Sequence, residues 1–376
     1  MASFGTITNT AQHNPNKSFE VVQPPTDGIL SLNFSPKANY LVATSWDNQV
    51  RCWEIQPNGS SVPKAAMAHD QPVLCSAWKD DGSTIFSGGC DKQAKMWPLL
   101  TGGAPTTVGM HDAPIKDIAW IPEMSLLVTG SWDKTLKYWD TRQQTPAHTQ
   151  QLPERVYAMS VRHPLMVVAP ADQNILVYNL ANPQTEYKRL PSPLKYQTRC
   201  IATFPDNQGF LVGSIEGRVA VQHIDESQHA KNFTFKCHRD NNDIYAVNAI
   251  NFHPVHATFA KTGSDGAYNF WDKDSKHRLK ALQRCNQPIP CSTFNSDGTI
   301  FAYAVIRAHA ELRAEHPTFH GKEVPEDLAV FFVKVAGKPE YVLPYPNYLD
   351  DPLQEVLKQV QGSLVLWSLK YTKCIG

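Results

Sequence analysis

Short apolar runs separated by polar turn residues follow one another along most of the chain. Residues 73–78 (VLCSAW), 115–120 (IKDIAW) and 246–252 (AVNAINF) are rich in β-branched, aromatic and small apolar residues, which is typical of buried strands. Glycine and proline fall between the runs, and a helical period is almost absent before residue 304. The pattern predicts an all-β chain.

One motif recurs at a nearly constant interval. It reads GSWDKTLKYWD at 130–140 and returns as SWDNQVRCWE at 45–54, GCDKQAKMWP at 89–98 and GSDGAYNFWD at 263–272, with weaker copies at 171–180 and 214–223. The acidic residues of the six copies are separated by 44, 42, 39, 44 and 49 residues. A period of about 40 to 45 residues with Trp-Asp endings is typical of the four-stranded blades of a propeller.

The repeat length predicts a seven-bladed WD-repeat β-propeller over residues 18–304, after a flexible tail at 1–17. Residues 287–304 supply two inner strands of the last blade, and 18–22 (SFEVV) is a natural outermost strand that removes an exposed edge. Residues 305–376 form a divergent segment that reads as helix (305–319), strand (327–335), helix (352–361) and strand (363–369). We expect 328–335 or 364–369 to close the last blade.

A histidine, a hydroxyl, an acid and a tryptophan recur in register in three repeats. An enzyme would need a catalytic triad only once. A set that recurs in several repeats suits a buried chain of hydrogen bonds, in which the carboxylate accepts from the imidazole, the imidazole accepts from the hydroxyl, and the hydroxyl accepts from the indole N–H. We therefore predict structural tetrads and no enzyme, because no unrepeated nucleophile and base stand out for a hydrolase. The sets are His69, Ser87, Asp91 and Trp97; His111, Thr129, Asp133 and Trp139; and His238, Thr262, Asp265 and Trp271.

Net charge, cysteine spacing and the lack of long apolar runs limit the ligands and the location that we expect. Thirty-five basic side chains balance thirty-five acidic ones, so any binding to nucleic acid has to come from a local patch. The eight cysteines form no CxxC pair, which argues against a zinc site or a disulfide framework, and we expect no metal or cofactor. No apolar run approaches the roughly 18 residues of a membrane span, and the N-terminus has no signal-peptide core. We expect a nuclear or cytoplasmic protein without membrane insertion.

Two segments interleave basic and aromatic residues: 231–240 (KNFTFKCHRD) and 271–280 (WDKDSKHRLK). Such a surface suits single-stranded nucleic acid or an acidic peptide. The alternative is a set of solvated loop charges after outer strands, and the residues alone leave both interpretations open.

The end of the strongest motif, YWDTR at 138–142, matches the box by which some WD-repeat proteins bind the adaptor of a cullin-RING ubiquitin ligase. The box is Trp139, Asp140 and Arg142. Because the pattern is short and common in propellers, a purely structural role for it stays open.

Several segments together resemble the WD-repeat mRNA export factors of the nuclear pore, the family of ribonucleic acid export protein one, and most closely its plant branch. They include SPLKYQTRC, GSIEGRVA, NFTFKCHR, DIYAVNAINFHPVH and GSDGAYNFWDKDSK. The resemblance runs from about residue 14 to 304 and ends there.

The resemblance implies a non-enzymatic adaptor in mRNA export, located at the nucleus, nuclear envelope and nuclear pore and also in the cytoplasm. It implies three kinds of partner: a phenylalanine-glycine nucleoporin bound through its GLEBS motif, single-stranded RNA or messenger ribonucleoprotein, and, in a mitotic spindle role, microtubules or tubulin. The implied RNA or acidic-peptide site comprises Arg218, Phe235, Lys236, Arg239, Trp271, Asp272, Lys273 and Arg278.

Overall fold

The computed structural model describes residues 18–306, apart from Leu100 and Gln144, and the backbone of 328–334. These residues form antiparallel four-stranded sheets and one small two-stranded sheet. Two short 3-10 turns, Pro122–Met124 and Glu226–Lys231, are the helical elements of the described chain. The all-β prediction is confirmed.

After a short strand, β1 (Phe19–Glu20), six sheets are each built from four consecutive strands, and we call them blades 1 to 6. Blade 1 contains β2 (Ile29–Phe34), β3 (Tyr40–Ser45), β4 (Gln49–Ile55) and β5 (Ser61–Ala68). Blade 2 contains β6 (Val73–Trp78), β7 (Ile85–Gly89), β8 (Gln93–Trp97) and β9 (Thr106–Met110). Blade 3 contains β10 (Ile115–Ile121), β11 (Leu126–Ser131), β12 (Thr135–Trp139) and β13 (His148–Gln151).

The second half repeats the arrangement. Blade 4 contains β14 (Val156–Arg162), β15 (Leu165–Pro170), β16 (Asn174–Asn179) and β17 (Glu186–Pro191). Blade 5 contains β18 (Thr198–Thr203), β19 (Gly209–Ser214), β20 (Arg218–His223) and β21 (Phe233–Lys236), and the two-stranded sheet β22 (Arg239–Asp240) and β23 (Asp243–Ile244) follows it. Blade 6 contains β24 (Val247–Phe252), β25 (Phe259–Gly263), β26 (Tyr268–Asp272) and β27 (His277–Ala281).

A further sheet, which we call the composite sheet, joins the two ends of the described chain. Its strands are β28 (Ser292–Phe294), β29 (Ile300–Ile306) and β30 (Leu328–Lys334), and its order is β1-β30-β29-β28. Phe19 lies opposite Phe332 at the outer edge. β30, which lies within the candidate segment 328–335, is the third strand of this sheet. The other candidate, 364–369, and the expected helix at 352–361 lie outside the described residues. The helix expected from residue 305 does not begin there, because β29 continues through Ile306.

The cores lie between neighbouring sheets, because each blade is too thin to bury both of its faces alone. Between blades 2 and 3, for example, Phe86 packs in one cluster with Leu127 and Trp139. Between the composite sheet and blade 1, Ala302 and Ala304 share a cluster with Ile29. The sheets are therefore arranged as the blades of a propeller.

The antiparallel order gives the propeller two distinct faces. We call the upper face the end of the propeller at which the innermost strand of each blade begins. The turn between the second and third strands of each blade lies at the same end. The register places Thr198, Ser214, Arg218 and Lys236 at this end of blade 5. The lower face carries the other turns, so Asp272 and His277 lie at the lower end of blade 6.

Candidate functional site

The tetrad of blade 3 is complete. The carboxylate Oδ2 of Asp133 lies 2.7 Å from Nδ1 of His111, and Nε2 of that ring lies 2.7 Å from Oγ1 of Thr129. The indole Nε1 of Trp139 donates to the same hydroxyl over 2.8 Å. Because an ionised carboxylate only accepts, Nδ1 carries the proton and Nε2 accepts from the hydroxyl. The four groups satisfy one another, and the histidine, threonine and tryptophan are at most 4% exposed.

In blade 2 the chain has three members. Nδ1 of His69 lies 2.7 Å from Asp91, and Nε2 lies 2.8 Å from Oγ of Ser87. Trp97 is buried beside them, but within the described part of the chain no hydrogen bond joins its indole to Ser87. Burial of the carboxyl of Asp91 would raise its pKa, but the hydrogen bond and charge of His69 outweigh this and lower the pKa.

Blade 6 departs from the sequence prediction. Nδ1 of His238 lies 2.7 Å from Asp265, but Nζ of Lys261 lies 3.1 Å from Nε2 and takes the place of the hydroxyl. The assignment of Thr262 was wrong, since its hydroxyl is buried without a partner, as is the indole nitrogen of Trp271. The hydroxyl precedes the acid by four residues in blades 2 and 3, and the fourth residue before Asp265 is Lys261.

Lys261 is a buried cation in this network. Its side chain is 1% exposed, and Nζ lies 5.9 Å from the ring centre of Trp271. Burial lowers the pKa of the Lys261 ammonium. Burial, together with the charge of Lys261, also lowers the pKa of the His238 imidazole. The ring of His238 is therefore held neutral, as an acceptor at Nε2 requires.

The aromatic residues of the predicted binding site meet at the seam between blades 5 and 6. The rings of Phe235 and Trp271 stack with 4.4 Å between their centres, and Phe233 lies 6.0 Å from Phe235. All three side chains are half-buried. Nζ of Lys276 lies 4.9 Å from the ring centre of Phe233. We call Phe233, Phe235, Trp271 and Lys276 the seam cluster.

Three of the predicted cationic residues lie on the upper face. Arg218 and Lys236 are opposite each other in neighbouring strands, and Arg239 donates to the carbonyl oxygen of Glu216 over 3.1 Å. Nε of Arg218 lies 3.3 Å from a carboxylate oxygen of Glu216. Arg218 and Arg239 are thus tied to the turn of blade 5, while Lys236 is exposed.

The other predicted polar residues lie towards the lower face or on the rim of blade 6. Asp272 shapes the turn, accepting from the amide of Asp274 over 3.0 Å. Lys273 is 7% exposed, 2.7 Å from Asp274 and 5.0 Å from the ring centre of Phe204. The structure therefore buries Lys273 in the turn rather than presenting it to a ligand. Arg278 is exposed opposite Trp271 in the outer strand.

The structure does not bring the eight predicted residues into one patch. It divides them between an upper group and a lower group, joined by the stacked rings. Phe233 and Lys276, which sequence reasoning left out of the site, belong to the seam cluster. The alternation in NFTF, with an aromatic residue at every second position of an outer strand, was the signal for Phe233.

The Trp-Asp-x-Arg box is exposed only at its end. Trp139 is 2% exposed and belongs to the blade core. Arg142 forms a fork with Asp140, with 2.8 Å from Nε to Oδ1 and 2.6 Å from Nη2 to Oδ2. This hydrogen bonding lowers the pKa of Asp140 to about 2. The side chain of Arg142 is 82% exposed.

The described residues offer little other chemistry. They contain no group of three or more His, Cys, Asp or Glu side chains that could hold a metal ion. Their seven cysteines are free, and burial raises the pKa of the Cys52 and Cys200 thiols to about 12. In the same part of the chain, no helix has the length and apolar character that crossing a membrane requires.

Comparison with known proteins places the chain among its relatives. The model of the WD domain, G-beta repeat, matches residues 16–54, 62–98, 104–140 and 230–272. Protein RAE1 of Arabidopsis thaliana is 75% identical over 307 residues, which is 81% of this chain and 88% of that protein. The mRNA export factor of Xenopus tropicalis is 51% identical over 313 residues, 79% of this chain and 85% of that protein.

A solved structure shares the fold. The WD40 β-propeller domain of Doa1 superposes with a TM-score of 0.65 over 84% of this chain and 95% of that chain, at 15% sequence identity. This likeness shows the propeller, whereas the identities above show a much nearer kinship over most of the chain. The chain belongs to the WD40-repeat family of Protein RAE1 and the mRNA export factors.

Proposed function

We propose that this protein is a non-enzymatic adaptor in nuclear mRNA export. The observation that carries the proposal is its high identity, over about four-fifths of the chain, to proteins named Protein RAE1 and mRNA export factor. In this proposal it joins the GLEBS segment of a nucleoporin to RNA or ribonucleoprotein at the nuclear pore, and it is present in the nucleus, at the nuclear envelope and in the cytoplasm. A spindle role with microtubules or tubulin rests on the family resemblance alone.

The seam cluster is the surface that we assign to RNA or to an acidic peptide. Stacked, half-exposed rings offer a base a face to stack on, and such stacking tolerates any base sequence. Lys276 is exposed and has no ion-pair partner within 4.0 Å among the described residues. Together with exposed Arg278, it places positive charge beside the rings for a phosphate or carboxylate group.

Lys276→Glu tests this surface against Lys37→Glu as a matched control, because Lys37 is an exposed lysine at the lower end of blade 1. We expect Lys276→Glu to weaken binding of a fluorescent single-stranded RNA. The slope of log K, the binding constant, against log salt concentration should fall in magnitude by about one. Lys37→Glu should leave both unchanged. Equal effects of the two reversals would show that the RNA responds to overall charge and not to the seam.

The nucleoporin part of the proposal needs its own measurement. Calorimetric titration of the full chain with a synthetic GLEBS peptide should give saturable one-to-one binding. A peptide of the same composition in scrambled order is the control. Absence of binding to both peptides would contradict the proposed nucleoporin binding, but it would not affect the proposed RNA binding.

We further infer that the composite sheet acts as a seventh blade that closes the ring. β30 pairs with β29 along seven residues and with β1 at the outer edge, so it lies where a third strand is needed. Without it, β29 would present an unpaired edge. Deleting 307–376 should therefore lower the melting temperature and increase aggregation, and an unchanged melting temperature would argue against closure by this segment.

Exposure of Arg142 favours a second function, that of substrate receptor for a cullin-RING ubiquitin ligase. Its guanidinium is held by Asp140 yet is available on the lower face. Arg142→Ala should abolish co-purification of the ligase adaptor while leaving RNA binding intact. If the Arg142→Ala variant still co-purifies with the adaptor, the box has only a structural role.

A further inference from the structure

A groove of 510 Å³ opens on the lower face between blades 4 and 5. Leu165 at the start of β15 and Ile224 after β20 contribute apolar side chains to its lining. The ring of Tyr187 stands on its rim and is 64% exposed, one of the largest exposures among the apolar and aromatic side chains described. The groove lies in a different seam from the seam cluster.

The polar lining of the groove is rich in acceptors. Asp225 and Glu226 begin the 3-10 turn at its edge, and both are exposed. Asn207 enters from the turn of blade 5 and donates its Nδ2 to the carbonyl of His163 over 3.2 Å. Its Oδ1 is buried and accepts no hydrogen bond from any described residue.

Among the described residues that line the groove, Lys188 is the one cation, and it is already paired. Nζ of Lys188 lies 3.0 Å from Glu226 and donates to the carbonyl of Ile224 over 3.2 Å. Hydrogen bonding to Lys188 lowers the pKa of Glu226, and the amide of Ser227 lowers that of Asp225. Both carboxylates remain ionised at neutral pH, so the lining carries one negative charge in excess.

We propose that this groove binds an arginine side chain from an extended segment of a partner protein. The aliphatic part of the arginine would pack on Leu165 and Ile224, and its planar guanidinium would stack on the ring of Tyr187. The fork of N–H donors would reach the exposed carboxylate of Asp225. Arginine suits the groove better than lysine because it combines a flat stacking face with several donors.

The test uses the full chain carrying ¹³C-labelled isoleucine methyl groups, with Ile224 as a reporter inside the groove. The probe is the pentapeptide acetyl-Gly-Ala-Arg-Ala-Gly-amide, and its controls carry citrulline or glutamate in place of arginine. We expect a saturable shift of the Ile224 methyl signal with the arginine peptide and at least about fivefold weaker binding of the uncharged citrulline peptide. Equal binding of the citrulline or glutamate peptide, or no shift of Ile224, would overturn the proposal.

Variants locate the binding. Tyr187→Ala and Asp225→Asn should each weaken binding about threefold, while Asp274→Asn, which changes another exposed carboxylate on the lower face, should not. Lys188→Met should strengthen binding about threefold, because it releases Glu226 and removes a like charge. Misfolding could not produce this gain. Weaker or unchanged binding by Lys188→Met would contradict the proposed charge arrangement.

Discussion

The hydroxyl of Thr129 should be one of the most important polar atoms for the stability of this propeller. It accepts from the indole of Trp139 over 2.8 Å and lies 2.7 Å from Nε2 of His111. All three residues are at most 4% exposed. Thr129→Val keeps the shape of the side chain but leaves two buried partners unpaired, at about 1–3 kcal/mol each. We expect the free energy of unfolding to fall by about 2–6 kcal/mol.

Thr262→Val is the matched control. Thr262 is also fully buried, in the corresponding strand of blade 6, but its hydroxyl has no partner. Removing an unpaired buried hydroxyl should leave stability unchanged or raise it by about 1 kcal/mol. Ser87→Ala should fall between the two, because Ser87 has the imidazole of His69 but not an indole as partner.

Urea unfolding followed by tryptophan fluorescence and by circular dichroism would measure the three variants. The comparison holds where the slope of free energy against urea is the same as in the parent, because the midpoint then reports stability alone. The predicted order of loss is Thr129→Val, then Ser87→Ala, then Thr262→Val. Equal losses for Thr129→Val and Thr262→Val would refute the argument that the hydrogen-bond chain, and not the volume of the side chain, stabilises the blade.

Three further changes test the same physical account. The pKa of Asp133 is depressed, mainly because hydrogen bonds from His111 and Thr135 outweigh burial, so its contribution is full above the unfolded value of about 3.9 and is lost as the pH falls through the folded value. Asp133→Asn should cost about 1.5–3 kcal/mol at pH 7, and its urea midpoint should converge with that of the parent in acid. The lowered pKa of Lys261 means that the unfolded chain binds a proton that the folded chain releases, so stability should rise with pH from the folded value up to about 10.4, the unfolded one. Lys261→Met should flatten that rise, and parallel curves for parent and variant from pH 6 to 10 would contradict the pKa shift. Gly109→Ala would place a methyl 2.3 Å from the ring of Trp139 and should lower stability by about 1–3 kcal/mol. Gly130→Ala, whose nearest contact would be 3.1 Å, should cost less when both variants are measured by urea unfolding.

Much of the architecture follows from local sequence. The period of about 44 residues, the alternation within the strands and the Trp-Asp endings predict a propeller, because each depends on residues close together in the chain. The innermost strands β6, β10 and β24 agree with the apolar runs to within a residue. The tetrad of blade 3 and the chain of His69, Ser87 and Asp91 in blade 2 could also be predicted, since the spacing from hydroxyl to acid is four residues in both.

Tertiary structure decided which side chain completes the network of blade 6. Thr262 is the hydroxyl residue next to position 261, which corresponds to Ser87 and Thr129 in the other blades, but strand residues alternate between the two faces of a sheet. A shift of one residue therefore turns the side chain away, and Lys261 meets His238 instead. Chemical type alone favoured the threonine, and only the position of the ring of His238 between the blades excludes it.

The binding surface shows the same division. The sequence predicted a binding role for the basic and aromatic segments 231–240 and 271–280. In the structure, Phe235 of the first segment stacks on Trp271 of the second across the seam between blades 5 and 6. The sequence could not show that Lys236 and Asp272 point to opposite faces, or that Lys273 is buried against Phe204. Spacing along one strand is a local property that the sequence determines. Which ends of different blades meet, and what covers a side chain there, depends on the packing of blades around the ring.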